Sequence, residues 1–146
     1  MGEDSGIDIE AFGQALGMTF RLVSNRISSK FKVAGYVVTP EQYMILNCLY
    51  KNGELQQNQI SKLTAKDEPC ISRIVNNMIK NGIVERVQHP NDKRTNLICL
   101  TKKAKEIEES LHNECLLALS EAVKNIPSSN IKIFESVLYQ IISNLK

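Results

Sequence analysis

The sequence predicts a mainly α-helical fold that contains one small β-hairpin. Apolar residues recur every three or four positions along most of the 146 residues, as they do in amphipathic helices. Two short segments rich in β-branched residues, 83–88 and 95–101, interrupt this pattern, and six polar or turn-forming residues separate them. Hydrophobic residues make up 42% of the chain and charged residues 23%, which is typical of a folded globular protein.

The first two helices are predicted from an apolar stripe and a capping sequence. From Leu16 to Phe31 the apolar positions step by three or four residues, so we expect a helix over about 9–31 that ends near Gly35. Thr39-Pro40-Glu41-Gln42 predicts the next helix start, with Thr39 as the cap, Pro40 in the first turn and Gln42 at the capping-box position. Asn52-Gly53 supplies its stop.

Two shorter helices follow, joined by the turn 64–66. The first covers about 57–63, with Ile60 and Leu63 expected to face inward. Asp67 is a good N-cap for the second, which runs to Lys80 and carries Pro69 in its first turn. The hairpin comes next, with a loop over residues 89–94.

The C-terminal part is predicted to form two helices. Thr101 caps one long helix over about 102–125, and Pro127 interrupts the chain. Ser128 or Ser129 is the expected cap of the last helix, in which apolar residues step by three and four from Ile131 to Leu145.

A short helix, a tight turn, a second helix and a hairpin in this order define a winged helix-turn-helix. Such a unit reads duplex DNA by placing its second helix in the major groove and its hairpin, the wing, in a neighbouring groove. Residues 57–103 contain nine basic and four acidic side chains, although the whole chain carries a net charge of only +2. This concentration of positive charge favours a polyanionic partner, although an ordinary solvated face would also explain it.

The candidate DNA contacts follow from which side of the second helix is apolar. Ile71, Val75 and Met78 point inward, which leaves polar side chains at the surface. Arginine pairs with guanine and asparagine with adenine, while basic wing residues reach a minor groove or phosphates, and Asp92 is expected to hold the wing loop. The predicted contacts are Lys66, Pro69, Cys70, Ser72, Arg73, Asn76, Asn77, Asp92, Lys93 and Arg94. The alternative is that these are plain surface residues and a polar turn.

The helices outside the winged core predict a homodimer. Helices 9–33 and 102–146 flank the winged lobe, which covers about 36–101 of a single domain spanning 1–146, and each carries an apolar stripe that a monomer would leave partly exposed. A twofold-related copy would bury these stripes and place two reading helices one DNA turn apart, on a pseudo-palindromic double-stranded site. The alternative is a monomer whose terminal helices pack on each other.

Several other classes of protein are disfavoured. No Ser-His-Asp set, phosphate-binding glycine loop or HExxH motif is present, so we expect no enzyme, and we expect no cofactor. No apolar run is long enough for a membrane span and no signal peptide is recognisable, so cytoplasm is expected. The four cysteines lack metal-binding spacing and are expected to be free thiols. Glu108, His112 and Cys115 share a helix face, but a solvated face is favoured over a metal site.

The run from Gly82 through Val84-Glu85-Arg86, the wing Asp92-Lys93-Arg94 and Leu100-Thr101 resembles the MarR family of multiple antibiotic resistance regulators. The resemblance covers the chain from about Phe20 onward. It implies a homodimeric winged helix that acts as a transcription regulator, usually a repressor and sometimes an activator, with Arg73 at a position where the family often has arginine. Cys70 and Gln56 depart from the family pattern, in which serine or threonine is common at the first position and a capping serine or threonine is usual at the second.

The resemblance also implies a small aromatic or anionic effector in a cleft between the winged lobe and the dimer helices. Arg21, Tyr36, Tyr43 and Met44 are the candidate lining residues, although core packing is an alternative for the last two. A redox-responsive regulator that uses Cys70, at the start of a helix, is a second hypothesis. A winged helix used only for protein contact is a third.

Overall fold

The computed structural model describes residues 6–146, apart from the side chain of Lys93. The fold is mainly helical with a small antiparallel sheet, as predicted. In chain order the elements are α1 (Ile9–Val33), α2 (Pro40–Asn52), β1 (Leu55–Gln56), α3 (Gln57–Thr64), α4 (Glu68–Lys80), β2 (Val84–His89), β3 (Asp92–Leu100), α5 (Lys102–Glu106), α6 (Glu108–Ala122) and α7 (Ser128–Leu145).

The predicted caps of the winged lobe are confirmed. Thr39 Oγ1 accepts a hydrogen bond from the Gln42 N–H at 3.1 Å, and Gln42 Oε1 accepts one from the Thr39 N–H at 3.2 Å. Asp67 and Thr101 cap α4 and α5 through the N–H groups three residues later. Since each bond satisfies an N–H group that a helix start leaves without a partner, these residues define where the helices begin.

The core lies inside the winged lobe. It contains fully buried aliphatic side chains from α2, α3, α4 and the sheet, and it extends to Phe31 of α1 and Leu111 of α6. Its main members are Ile45, Leu46, Leu49, Ile60, Ile71, Ile74, Val75, Met78, Val84 and Ile98. Leu63, predicted to face inward, is 56% exposed. The eight residues of α3 present only one turn to the core, and Ile60 occupies that contact.

The hairpin is longer and tighter than predicted. The prediction of a six-residue loop is wrong, because the strands extend to His89 and Asp92 and these two residues pair across the turn. β3 lies between β1 and β2, and β1, which the sequence pattern did not indicate, pairs Leu55 with Ile98. The ladder shifts register between Gln88 and His89, because residues 93–95 bulge out of β3.

Two corrections concern the C-terminal helices. The predicted long helix is interrupted at Ile107, where α5 ends and α6 begins. α7 begins at Ser128, and its cap position is Pro127 rather than either serine. Pro127 lacks an N–H and carries an extended ψ of 139°, so it ends the preceding turn and starts the helix without a side-chain cap.

The outer helices pack very unequally. α1 runs along α6, where Arg26 and Lys30 both form ion pairs with Glu121. The Tyr50 hydroxyl donates to the Ala104 carbonyl at 2.6 Å and so joins α2 to α5. In contrast, α7 buries none of its residues in the single chain, and Phe134 is 48% exposed. None of the helices in residues 6–146 has the length and hydropathy that a bilayer crossing requires.

Candidate nucleic-acid interface

The turn between α3 and α4 sets the direction of α4. Ala65 adopts a left-handed conformation, with φ of 56°, and reverses the chain directly after Thr64. The Ser61 hydroxyl donates to the Lys66 carbonyl, and Asp67 Oδ1 accepts from the Cys70 N–H at 2.8 Å. These bonds hold the first turn of α4 against the end of α3, as a helix-turn-helix requires.

The two sides of α4 separate as the sequence predicts. Ile71, Ile74, Val75 and Met78 are buried against the rest of the lobe. The opposite side carries the predicted contact residues, of which Pro69, Arg73, Asn76 and Asn77 are exposed and Cys70 and Ser72 are half-buried. Because the buried side anchors the helix, the outer side presents guanidinium, amide and hydroxyl groups at fixed positions.

A carboxylate from α2 lies between two of the predicted basic contacts. Glu41 Oε1 is 3.7 Å from Lys66 Nζ, and Glu41 Oε2 is 3.7 Å from Arg73 Nη2. The other contact of Arg73 is Cys70, whose Sγ lies 3.7 Å from Nη2. Lys66 and Arg73 therefore face one shared anion position, which Glu41 fills.

Arg86 connects the wing to α4. Its Nη2 donates to Asn76 Oδ1 at 3.2 Å and to Gln57 Oε1 at 3.3 Å. One guanidinium on β2 thus joins the start of α3, the middle of α4 and the sheet. The Asn76 oxygen is engaged by this bond, so the amide NH₂ group is the part left for an external acceptor.

The wing turn is held by Asp92. Its carboxylate accepts from the Arg94 N–H at 3.0 Å and from the Thr95 hydroxyl at 3.1 Å. The Arg94 N–H bond, followed by that from Thr95, holds the pKa of the Asp92 carboxyl below its usual value. Asp92 thus organises the bulge through the backbone of Arg94, and the Arg94 side chain is exposed. The side chain of Lys93 lies outside the described residues.

The structure brings the predicted residues of the turn and α4 onto one surface, with the wing at its edge. Sequence reasoning did not assign Glu41, Gln57 or Arg86 to this surface. The rest of α2, β1, α3 and the turn lie between Glu41 and Arg73 in the chain, so no local pattern reveals their contact. The sequence analysis named Arg86 as part of the run that resembles the MarR family and assigned it no contact with α4.

The four predicted effector residues do not share one cavity. Met44 lines a cavity of about 530 Å³ between α1 and α2, together with Phe20, Val23, Ile27, Glu41 and Lys66. Tyr43 lines a cavity of about 380 Å³ beside Tyr50 and His112, and Tyr36 lines one of about 430 Å³ beside Ile83 and Lys103. Arg21 is exposed on α1 and lines none of these three.

Two of these side chains are also part of the packing. The Tyr43 ring contacts Phe31 edge-on, with ring centroids 5.4 Å apart, and burial raises the pKa of its hydroxyl. The Tyr36 hydroxyl lies 2.7 Å from Ser110 Oγ and so ties the lobe to α6. Packing therefore explains both positions without a ligand.

The cysteines are free thiols in the structure. Burial raises the pKa of Cys48 and Cys115, and it raises the pKa of Cys99 to about 11. These three are thus protonated near neutral pH and poorly nucleophilic. Residues 6–146 contain no cluster of three or more His, Cys, Asp or Glu side chains that could hold a metal ion.

The fold and this surface define a winged helix-turn-helix protein. The model of the MarR family matches residues 38–95, which span α2, the helix-turn-helix and most of the hairpin. The chain is 26% identical, over 106 residues, to the multiple antibiotic resistance protein MarR of Salmonella typhimurium, covering 72% of this chain and 74% of that protein. Other curated relatives are matched over 66% to 76% of their length. The chain is thus similar to the MarR family over its winged lobe, and two curated relatives bear the name HTH-type transcriptional regulator.

Solved structures share the fold over almost the whole chain. A crystal structure of a mutant Escherichia coli MarR complexed with operator DNA has a TM-score of 0.83 at 21% identity, covering 92% of this chain and 95% of that one. The PcaV transcriptional regulator of Streptomyces coelicolor, in complex with its natural ligand, has a TM-score of 0.80 at 17% identity, covering 100% and 99%. At these identities the likeness establishes the fold alone.

Proposed function

We propose that the chain is a homodimeric regulator that binds a pseudo-palindromic site in double-stranded DNA and represses transcription until a small molecule releases it. The observation that carries the proposal is the outer side of α4. Arg73, Asn76 and Asn77 are exposed there on a helix whose other side is fully buried, with the Arg94 side chain exposed on the adjoining wing. Arginine and asparagine on an anchored helix provide base-reading groups, and a basic wing provides phosphate contacts. Such a protein acts where the genome lies, which in a bacterial cell is the cytoplasm.

The proposed division of the chain assigns residues 36–101 to DNA binding and residues 9–33 and 102–146 to dimerisation. The unburied apolar side of α7 supports this division, as do the exposed apolar residues of α1 such as Phe20. Contiguous apolar surface of this kind is rare on monomers and is buried by a symmetric copy.

The cavity between α1 and α2 is our proposed effector site. Phe20, Val23, Ile27 and Met44 form an apolar wall that suits an aromatic ring. Lys66 also lines the cavity, and an anionic group of the ligand would take the place of its present partner, Glu41. The site lies where the winged lobe meets an outer helix, so a bound ligand can favour one orientation of the two over another. By linkage, a ligand that prefers an orientation unable to span two half-sites weakens DNA binding.

A redox-responsive regulator that uses Cys70 is the second candidate. Cys70 is half-buried in the first turn of α4, and the Arg73 guanidinium lies 3.7 Å from its sulfur. Oxidation there would alter the Arg73 position and so weaken DNA contact. If peroxide treatment weakens DNA binding of the parent but not of Cys70→Ser, redox control is supported; equal responses exclude it.

The decisive test of DNA binding is a selection of random duplexes on the purified protein at near-physiological salt. A recovered palindrome with half-sites about one helical turn apart is the expected result for a dimeric reader. Affinity for that duplex should fall steeply with salt because binding releases counterions from the phosphates. A folded protein that selects no motif and binds duplexes without salt dependence would instead indicate a protein-contact module.

A further inference from the structure

We infer that Glu41 is an internal competitor of DNA: in the free protein its carboxylate occupies the position that a DNA phosphate takes between Lys66 and Arg73. The inference rests on the proposed DNA binding and goes beyond it, since it assigns an inhibitory role to a residue outside the reading helix. Glu41 lies on α2, whereas the two cations lie in the turn and on α4.

The geometry of the three side chains supports competition. Each carboxylate oxygen of Glu41 faces a different cation at 3.7 Å, so one anion bridges two positive groups. A phosphate has the same ability to accept from two cations at once. A phosphate that approaches Lys66 and Arg73 meets the negative charge of Glu41 between them, and this repulsion opposes binding until the Glu41 side chain moves away.

The exposure of the cluster makes this displacement feasible. The Glu41 side chain is 49% exposed and that of Arg73 is 59% exposed, so solvent and DNA reach both groups. An exposed ion pair contributes little to the stability of a fold, and its contribution is small beside the free energy of a protein–DNA complex. The contact is thus weak enough to break on binding and sufficient to lower affinity.

A purely structural role for Glu41 predicts different behaviour. Glu41 sits in the first turn of α2, where a negative charge is favourable beside the helix N-terminus. If that were its only role, removing the charge would lower thermal stability and leave DNA affinity unchanged. Competition with DNA predicts instead that removing the charge raises the affinity for every duplex.

The test compares Glu41→Gln with the parent in titrations of a random-sequence duplex and of a selected duplex across a salt series. One or two additional phosphate contacts should make the affinity of Glu41→Gln more sensitive to salt than that of the parent. Between roughly 50 and 200 mM salt its affinity should fall by a factor about three to ten times larger, and at about 50 mM it should bind more tightly than the parent by a similar factor. The random duplex should gain through phosphate contacts alone, and the selected duplex should gain at least as much because Arg73 is also a proposed base-reading group.

Glu68→Gln is the matched control. It removes the same charge from the first turn of α4, and the described part of the chain shows no ion pair for Glu68. A gain for Glu41→Gln that exceeds the gain for Glu68→Gln, and that disappears in a Lys66→Gln/Arg73→Gln background, supports the inference. Equal gains for the two variants would show a general charge effect and overturn it.

Two further outcomes are also informative. Weaker binding of both duplexes by Glu41→Gln would mean that Glu41 positions Lys66 or Arg73 for DNA and would refute competition. Circular dichroism and melting curves of each variant show whether the fold is intact. Glu41→Asp keeps the charge on a shorter side chain, so its DNA affinity should lie between those of the parent and Glu41→Gln. If the parent itself binds no duplex, the proposed function fails too, whereas a salt-dependent parent with an unchanged Glu41→Gln removes only this inference.

Discussion

Arg86 on β2 donates a 3.2 Å hydrogen bond to the side-chain oxygen of Asn76 on α4, so the wing and the reading helix are joined by one guanidinium. The same Nη2 atom also reaches Gln57 at the start of α3, 3.3 Å away. Three elements that approach DNA from different directions therefore share one contact, and the orientation of the Asn76 amide depends on a residue of the wing.

This contact predicts that Arg86 controls the base preference of Asn76. In Arg86→Ala the amide is free to rotate, so we expect a changed preference at one base position of the selected site. In Asn76→Ala we expect the loss of about 1–3 kcal/mol of discrimination at that position. Because both variants act through one amide, the double variant should resemble Asn76→Ala alone. Binding to a set of single-base variants of the site measures this.

Gln57→Ala is the control for that prediction, because it removes the other acceptor of Arg86 and leaves the bond to Asn76. It should leave the preference at the Asn76 position unchanged. Fully additive effects of Arg86→Ala and Asn76→Ala, or effects at different base positions, would show that the two residues act independently.

Arg73 and Arg94 are predicted to differ in what they contribute. Arg73 is exposed on α4, so Arg73→Ala should reduce discrimination between bases by about 1–3 kcal/mol. Arg94 is exposed on the wing, so Arg94→Ala should weaken binding to all sequences alike. The plot of log affinity against log salt concentration should become less steep, by the amount that corresponds to about one phosphate contact. Titrations of selected and random duplexes separate the two effects.

Lys51→Ala provides a charge-matched control for both arginines, because Lys51 lies at the opposite end of α2 from Glu41. It should leave both duplex affinities close to those of the parent. The assignment of these contacts is wrong if Arg73→Ala and Arg94→Ala also bind the selected duplex like the parent.

The wing turn should depend on the charge of Asp92 at low pH. Hydrogen bonds from the Arg94 N–H and the Thr95 hydroxyl lower the pKa of the folded carboxyl. Its contribution to the turn is therefore present above the unfolded value, about 3.9, and is lost as pH falls through the lower folded pKa. An NMR titration should show the Arg94 amide shifting with a midpoint below about 3.9.

Asp92→Asn is the control for this titration, since an amide does not ionise and the transition of the Arg94 resonance should vanish. A midpoint in the parent at or above the usual aspartate value would contradict the hydrogen-bonded turn. In DNA titrations, Asp92→Ala should weaken binding to random and selected duplexes alike, because the Arg94 backbone loses its anchor.

The exposed apolar side of α7 predicts a dimer that a single charge can disrupt. Phe134 is 48% exposed in the single chain, and burying a phenylalanine stabilises an interface by about 1.5–3 kcal/mol. Phe134→Asp should therefore weaken dimerisation by at least about tenfold and reduce binding to a two-half-site duplex. Analytical ultracentrifugation over a concentration series measures the first effect.

Gln140→Asp introduces the same charge on α7 about 120° around the helix from Phe134, at a polar position where Gln140 donates to Asn144 at 2.8 Å. It should leave the dimer intact. A Phe134→Asp protein that sediments like the parent would show that this side of α7 lies outside the interface.

The order and nature of the main elements could be predicted from the sequence because the signals are local. Caps at Thr39, Asp67 and Thr101, and apolar spacing on α4, act within a few residues of where they are read. The prediction was wrong where local signals were ambiguous: a break at Ile107, an exposed Leu63, and strands that continue to His89 and Asp92. Each of these three features depends on packing against a neighbouring element, which is a contact between segments and not a property of the segment itself.

The sequence by itself determined that a basic winged helix-turn-helix stands between apolar outer helices, since helix periodicity, capping and charge are properties of short segments. Only the tertiary structure decided which side chains share the proposed DNA-binding surface. Glu41 meets Lys66 and Arg73, and Arg86 meets Asn76, because α2, α4 and β2 converge on one buried core. Contacts between residues far apart in the chain follow from that packing, and no periodicity along the chain encodes them.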